Sequence, residues 1–110
     1  MPLVRLFLSN EALPVKNRLD SLLPDLVSGA MAAERGWDEE TFSCSSQGWA
    51  GERHGYDILV VIDAPFFLER QENLAERTQQ ITDGLAFLRE EFCLKVGLWV
   101  RLLPGKWQDV

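Results

Sequence analysis

Alternation of apolar and polar residues marks four segments of the chain as strands. Successive side chains of a strand point to opposite sides of a sheet, so a period of two indicates a half-buried strand. Pro2 is tolerated at the first position of one strand, and Pro65 ends another. The predicted strands are 2–9 (PLVRLFLS), 41–46 (TFSCSS), 57–64 (DILVVIDA) and 95–102 (KVGLWVRL).

Two longer segments repeat their apolar residues with a period near 3.6, which predicts helices. The first helix covers the segment from Asn10 to a stop at Gly36; Pro14 suits its first turn, and Pro24 predicts a kink or a restart. The second helix is predicted to run without interruption over about 67–92. Its apolar stripe consists of Phe67, Leu74, Thr78, Ile81, Leu85, Leu88 and Phe92.

The order of these elements predicts the fold class. Strand–helix–strand occurs twice, and each such unit is expected to pair its two strands in parallel. The sequence therefore predicts one α+β domain over residues 1–110. This domain is a two-layer α/β sandwich in which tandem β-α-β units form a four-stranded mixed sheet with two helices on one face.

The two faces of the predicted sheet differ in chemistry. The purely aliphatic positions, such as Ile58, Val60 and Ile62, are expected to pack on the helices. The opposite side, here called the second face, carries Leu3, Arg5, Phe7, Asp57, Leu59, Val61, Asp63, Trp99 and Arg101.

An apolar patch of this size marks an interface, so other copies of the chain are expected to cover the second face. Its charges would then need partners. Arg5 and Arg101 are expected to pair with Asp57 or Asp63, within or between subunits. The alternative is a half-solvated open sheet with exposed charges.

Composition excludes several classes of function. The net charge of -6 and the absence of a basic run argue against nucleic acid as a partner. No apolar stretch approaches the roughly 20 residues of a membrane-spanning helix. Without a secretory signal, Cys44 and Cys93 are interpreted as reduced, buried thiols of a cytoplasmic protein. The single histidine, His54, has no partner at metal-ligand spacing, and no phosphate loop is present, so neither a metal nor a cofactor is predicted.

The start Met-Pro before an apolar strand, the length of 110 residues and the doubled strand–helix–strand order resemble the tautomerase superfamily. This superfamily includes 4-oxalocrotonate tautomerase, macrophage migration inhibitory factor and malonate semialdehyde decarboxylase. The resemblance covers the whole chain as architecture, and Pro2 is its one sharp match among the residues. The stretches SLLPDL (21–26), TFS (41–43) and ILVVIDA (58–64) are most similar to a branch of small bacterial proteins of this fold.

The resemblance implies a homotrimer without a cofactor, in which Met1 is removed and the nitrogen of Pro2 acts as a general base. An amine in an apolar pocket is harder to protonate, so its pKa falls toward neutrality, where a base works best. The implied reaction is keto–enol isomerisation of a small 2-oxo or enol acid. The same nitrogen could act as a nucleophile toward a carbonyl.

Members of the superfamily typically hold a substrate carboxylate with arginines, but the usual arginine after the first strand is absent here. The candidate substrate-binding residues are Arg70, Arg53, His54 and Trp99. Each also has a simpler interpretation: a solvated helix residue for Arg70, an exposed loop residue for His54 and interface packing for Trp99. At the level of the whole protein, the alternatives are a non-catalytic homo-oligomeric binding module and a ferredoxin-like regulatory subunit wound in a different order.

Overall fold

Strands and helices follow one another in the predicted order. The structure, a computed structural model, describes residues 3–32, 43–47 and 55–105. A 3-10 helix, Asn10–Val15, leads directly into the first α-helix. The remaining elements are β1 (Leu3–Leu8), α1 (Lys16–Ala32), β2 (Ser43–Gln47), β3 (Ile58–Pro65), α2 (Leu68–Glu72), α3 (Leu74–Phe92) and β4 (Val96–Leu103).

The four described strands form one mixed sheet in the order β2-β1-β3-β4. Strands β1 and β2 are parallel, and so are β3 and β4, which confirms the two β-α-β units. The units join through the antiparallel pair β1–β3 at the centre of the sheet. Each unit therefore contributes one central strand and one edge strand.

The core lies between the sheet and the helices, on the face that the alternation predicted. Val4, Leu6 and Leu8 of β1 stand opposite Ile62, Val60 and Ile58 of β3. All six side chains are buried, together with Leu19, Leu23 and Val27 of α1 and Ile81, Leu85 and Leu88 of α3. Burying one such side chain contributes roughly 1.5–3 kcal/mol, so this shared core fixes both helices on one face.

Helix α1 continues through Pro24, so of the predicted kink or restart, the restart does not occur. Pro24 removes one hydrogen bond, the one that the carbonyl of Asp20 would accept. Asp20 is partly exposed, so water can solvate that carbonyl. Burial of Leu23 and Val27 on either side of Pro24 outweighs the local propensity. The predicted stop at Gly36 lies outside the described residues.

The predicted second helix is divided into α2 and α3 at Asn73, so the helical layer has three described α-helices instead of two. Asn73 has φ -109° and ψ 19°, which is not helical. Asparagine favours such a position because its side chain competes for backbone groups. Phe67 and Leu74 are seven residues apart, which would keep both on one face of a continuous helix, so the stripe did not reveal the break.

The carboxyl end of α3 also differs from expectation. Cys93 ends the helix with φ 55°, in the left-handed region, and its side chain is exposed. The interpretation of Cys93 as a buried apolar residue is therefore wrong. Helices commonly end on a left-handed residue, and that geometry turns this side chain away from the core.

Close packing of α1 on α3 depends on Gly84. A Cβ placed there would lie 2.6 Å from Cδ1 and 3.2 Å from Cγ of Leu26. Gly84→Ala is expected to lower the free energy of unfolding by about 1 kcal/mol, because overpacking of about 1–3 kcal/mol outweighs a helix-propensity gain of about 0.5–1 kcal/mol. Denaturant unfolding measures this effect.

Gly29→Ala is the matched control, because Gly29 is also helical and its Cβ would meet only Gln80 Nε2, at 4.0 Å. This variant is expected to gain about 0.5–1 kcal/mol. Equal effects at the two glycines would contradict the close contact at Gly84.

Candidate functional site

The register of the sheet arranges the second face in three rows, each crossing β1, β3 and β4. From the chain-start end of β1 the rows are Leu3–Asp63–Arg101, Arg5–Val61–Trp99 and Phe7–Leu59–Gly97. The charged residues of this array lie in the first two rows, and the third row is apolar. The charged residues of the second face therefore lie toward the amino-terminal end of β1, and its apolar row lies toward the carboxyl end.

Arg5, Asp63 and Arg101 converge into one group, called here the Asp63 cluster. Arg101 donates from Nε to Asp63 Oδ1 (2.6 Å) and from Nη2 to Asp63 Oδ2 (2.8 Å), a two-point contact. Arg5 donates from Nη2 to Asp63 Oδ2 (2.9 Å). The predicted pairing of both arginines with an aspartate is confirmed, with Asp63 as the acceptor inside one chain.

The other predicted acceptor, Asp57, has a different role. Its Oδ2 accepts the backbone N–H of Lys95 at 2.8 Å, just before β4 begins. Asp57 therefore ties the start of β3 to the start of β4, at the opposite end of the sheet from Asp63.

The electrostatics of the Asp63 cluster favour full ionisation. The hydrogen bond from Arg101 and the charges of both arginines hold the pKa of Asp63 below its ordinary value of 3.8, although burial opposes them. The same hydrogen bond raises the pKa of Arg101. Two guanidinium groups and one carboxylate leave the cluster with a net charge of +1, in a chain whose net charge is -6.

Asp63→Asn is expected to lower the free energy of unfolding by about 2 kcal/mol at pH 7, because two charge-assisted contacts are lost. A lowered pKa in the folded state gives stability that is present above the unfolded value of 3.8 and is lost as the pH falls through the folded value. The difference between wild type and variant should thus be constant from pH 5 to 8 and narrow below pH 4. Urea unfolding at several pH values measures it; a difference that does not narrow would rule out Asp63 as the source.

Large apolar side chains surround the cluster. Leu3 is 44% exposed, Trp99 is 59% exposed and Leu103 is 46% exposed. The guanidinium of Arg101 lies 5.3 Å from the ring centre of Trp99. Val61, in contrast, is already shielded within the chain at 7% exposure. Trp99 is therefore accessible, and its two suggested roles, lining a pocket or packing against another copy, stay predictions.

Tyr56 covers the opposite end of the second face. A Cβ at Gly97 would lie 2.7 Å from the Tyr56 ring, so the ring occupies the space that a side chain at position 97 would fill. The Lys95 ammonium lies 5.7 Å from the centre of the same ring. This end is thereby filled by the chain itself, and the accessible part of the second face lies around the Asp63 cluster.

Three of the five residues predicted for the site, Pro2, Arg53 and His54, lie outside the described residues. Trp99 lies beside the Asp63 cluster. Arg70 binds backbone carbonyls on the helix side of the sheet, at the carboxyl ends of α1 and β3. The structure thus brings only Trp99, of the predicted residues it describes, to the cluster.

Arg70 is 1% exposed, so its interpretation as a solvated helix residue is wrong. Its Nε donates to the Met31 carbonyl (2.9 Å) and its Nη1 to the Pro65 carbonyl (3.0 Å), and its guanidinium lies 4.6 Å from the centre of the Phe67 ring. The last carbonyls of a helix need external donors, and Arg70 supplies one to α1. Its role as a substrate ligand stays a prediction.

A second buried arginine binds the same helix end. Arg77 is 5% exposed and donates to the carbonyl of Ala30. Burial lowers the pKa of Arg77. Arg77 falls outside the apolar stripe of α3, so its burial was not predicted from the sequence.

Sequence reasoning also missed Arg5 and Arg101 as candidate ligand-binding groups. It treated them as charges that needed neutralisation. The signal was available in the alternation, which places both arginines on the face that carries Trp99. The sequence did not show that two arginines share one aspartate. The pairing of β1 and β4 with β3 shows it, and it sets the net charge of the Asp63 cluster at +1.

Other features of the described residues are less informative. No group of three or more His, Cys, Asp or Glu side chains that could hold a metal ion occurs among them. In the same part of the chain, no helix is both long enough and apolar enough to cross a membrane.

Comparison with known proteins identifies the fold. No protein-family model matches the chain, and no curated protein has a significantly similar sequence. A solved structure described as "Q0 fused 4-OT wild type symmetric trimer" matches it with a TM-score of 0.51 and 14% identity, over 98% of this chain and 90% of that one. The chain therefore shares the fold of this 4-OT structure. An identity of 14% carries the fold alone. The strand order β2-β1-β3-β4, with each edge strand parallel to the central strand of its own unit, contradicts the alternative ferredoxin-like winding.

In terms of the tautomerase fold, the Asp63 cluster lies at the chain-start end of β1. Leu3 is level with Asp63 and Arg101, and Pro2 precedes Leu3 by one residue in the chain. The arrangement can bind an anion.

Proposed function

We propose that this tautomerase-fold protein is a keto–enol isomerase of small 2-oxo or enol acids, with the amino-terminal nitrogen of Pro2 as general base after removal of Met1. The observation that carries the proposal is the register of Leu3 with Asp63 and Arg101. It puts a group of net charge +1 level with the residue that follows Pro2.

Positive charge at this position supports both the availability of the base and the stabilisation of the negatively charged enolate. A nearby guanidinium disfavours protonation of an amine, which keeps the nitrogen available as a base near neutral pH. The base removes the enol O–H proton and returns it to carbon. Arginine donors stabilise the negative charge of the substrate carboxylate and of the enolate that forms between these two transfers.

The second candidate is a non-catalytic homo-oligomeric binding module with the same fold. It is supported by the exposure of Leu3, Trp99 and Leu103 and by the similar solved structure, which is a symmetric trimer. A homotrimer that covers the second face fits both candidates. We place either form in the cytoplasm, where Cys44 and Cys93 would stay reduced.

The intact mass of the protein from its native host separates the two candidates. A mass without methionine means that Pro2 presents a free amine, and turnover of phenylenolpyruvate is then expected. A mass with methionine means that the Pro2 nitrogen is a tertiary amide, which is neither a base nor a nucleophile. That result would overturn the isomerase and favour the binding module.

A further inference from the structure

The helical layer leaves a groove beside the outer strand β4, called here the β4 groove. Strand β4 forms one edge of the sheet, next to β3. On the helix side, Ile58, Val60 and Ile62 of β3 are fully buried. The helices therefore cover β3 completely and β4 only in part, and apolar surface stays accessible between α3 and β4. The partly buried side chains of β4 on this side are Val96, Leu98, Val100 and Leu102.

A cavity of about 130 Å³ lies in the β4 groove. Its lining from α3 falls at positions i, i+3, i+4 and i+7, which is one side of the helix, and two inward side chains of β4 complete it. The lining residues are Thr82, Leu85, Ala86, Arg89, Val96 and Leu98. The hydroxyl of Thr82 is already engaged, since it donates to the Thr78 carbonyl at 2.9 Å. The cavity is thus aliphatic, and the polar group it offers to a ligand is the Arg89 guanidinium.

Arg89 differs from the other arginines that the structure describes. Each of the others makes a hydrogen bond or an ion pair through its guanidinium: Arg5, Arg18, Arg70, Arg77 and Arg101. Arg89 is exposed in the last turn of α3, and within the described ranges its guanidinium has no such partner. As a solvated cation it would only complement the negative end of the helix dipole. The aliphatic cavity beside it indicates a further role, as the donor to a carboxylate whose chain lies in the cavity.

The volume and the charge of the cavity define the ligand. An apolar cavity of about 150 Å³ accommodates benzene, so the β4 groove has room for an aliphatic chain of roughly five or six carbon atoms. One guanidinium balances one negative charge, and the carboxyl-terminal carbonyls of α3 oppose a second, which favours a monocarboxylate over a phosphate dianion. The acidic residues of α3 lie outside the lining; they are Glu76, Asp83, Glu90 and Glu91.

We propose that the β4 groove binds a short aliphatic monocarboxylate, with Arg89 on the carboxylate and Leu85, Val96 and Leu98 around the chain. Assembly through the second face does not cover this site, because the groove lies on the opposite, helix side of the sheet. The site goes beyond the proposed isomerase and requires neither Pro2 nor its reaction.

The test is titration of the isotope-labelled full-length protein with hexanoate, followed by the NMR shifts of its backbone amides. The shifts should saturate and should centre on residues 82–89 and 96–98. Each buried CH₂ group strengthens binding about fourfold, so butanoate, which is two CH₂ groups shorter, should bind about tenfold more weakly. Hexan-1-ol keeps the chain and lacks the charge, and it should also bind about tenfold more weakly than hexanoate.

Two variants and their controls locate the ligand. Arg89→Gln should weaken hexanoate binding about tenfold. Lys95→Gln is its matched control, because it removes the same charge beside β4 from an exposed side chain whose ammonium lies 5.7 Å from the centre of the Tyr56 ring, and it should bind hexanoate as the wild type does. Ala86→Leu fills the cavity and should abolish saturable binding. Ala75→Leu makes the same change at an exposed position of α3 outside the lining and should leave binding intact.

The site would be overturned by an absence of saturable shifts with hexanoate, by shifts centred on the second face, or by equal affinities of Arg89→Gln and Lys95→Gln. Butanoate or hexan-1-ol binding as tightly as hexanoate would overturn it as well. The isomerase fails separately: a lack of phenylenolpyruvate turnover in protein without Met1 would reject it and would leave the expected hexanoate binding unchanged.

Discussion

Replacing Pro2 with alanine is expected to lower kcat for phenylenolpyruvate about 100-fold while the fold stays intact. A positioned base contributes about 10²–10⁴-fold to such a reaction. The effect of Pro2→Ala lies at the lower end, because alanine at the same position still carries an amine. What is lost is the ring, which fixes the nitrogen in one orientation. The measurement is steady-state turnover of each protein after its intact mass has shown that Met1 is absent.

Wild-type protein that retains Met1 is the internal control for this experiment. Its Pro2 nitrogen is an amide and cannot accept a proton, so turnover should fall further than in Pro2→Ala. The pH profile adds a second criterion: kcat/KM should rise with pH through the pKa of the amine and then level off. Unchanged turnover in Pro2→Ala would remove Pro2 from the mechanism.

Trp99→Asp is expected to convert the homo-oligomer into monomers at micromolar concentration. Trp99 is 59% exposed in the single chain, beside Leu3 and Leu103, which are also exposed. If another copy covers these residues, an aspartate at position 99 becomes a buried charge without a partner, which costs several kcal/mol per interface. Light scattering coupled to size-exclusion chromatography measures the mass of the particle.

Leu68→Asp provides the comparison for Trp99→Asp. Leu68 is 62% exposed and lies in the first turn of α2, away from the second face, where an acidic residue is well tolerated. This variant should keep the mass of the wild type. Val61→Asp is unsuitable for the purpose, since Val61 is buried within the chain and its substitution would test folding instead. A Trp99→Asp protein of unchanged mass would refute assembly through the second face.

Much of the fold was predictable because burial imposes a period on the sequence. The alternation in β3 and β4 identified the inward face, and the 3.6-residue stripe identified Ile81, Leu85 and Leu88 as core residues of α3. These periods reflect which side of a strand or helix is buried, and buried positions are apolar in the sequence. The parallel pairing inside each β-α-β unit also followed, whereas the antiparallel β1–β3 pair that joins the units was not predicted.

Interruptions of the regular elements were harder to predict because they depend on single side chains. Pro24 breaks helices in isolation, yet two buried neighbours hold α1 together across it. Asn73 divides a helix that the apolar stripe describes as continuous. In both places a local preference competes with tertiary packing, and the stripe alone does not say which of them wins.

The sequence predicted which charged residues share the second face, but it did not predict which of them contact one another. Alternation placed Arg5, Asp63 and Arg101 on one face, and neutralisation required that they pair. Asp63 binds two arginines at once because of the register between β1, β3 and β4, which the sequence does not give. Arg70 was misjudged for a related reason: an arginine on a polar helix side looks solvated until the carbonyls of another helix are found beside it.

The two buried arginines have a consequence for how the chain folds. Helix α1 belongs to the first β-α-β unit, but the carbonyls at its end receive their donors from Arg70 and Arg77 of the second unit, 39 and 47 residues further along the chain. The first unit is thus incomplete until the second has folded against it. Such distant contacts slow folding and couple the two units into a single transition. The architecture is a duplication in its outline, but thermodynamically it is one cooperative body, and neither half is an autonomous module.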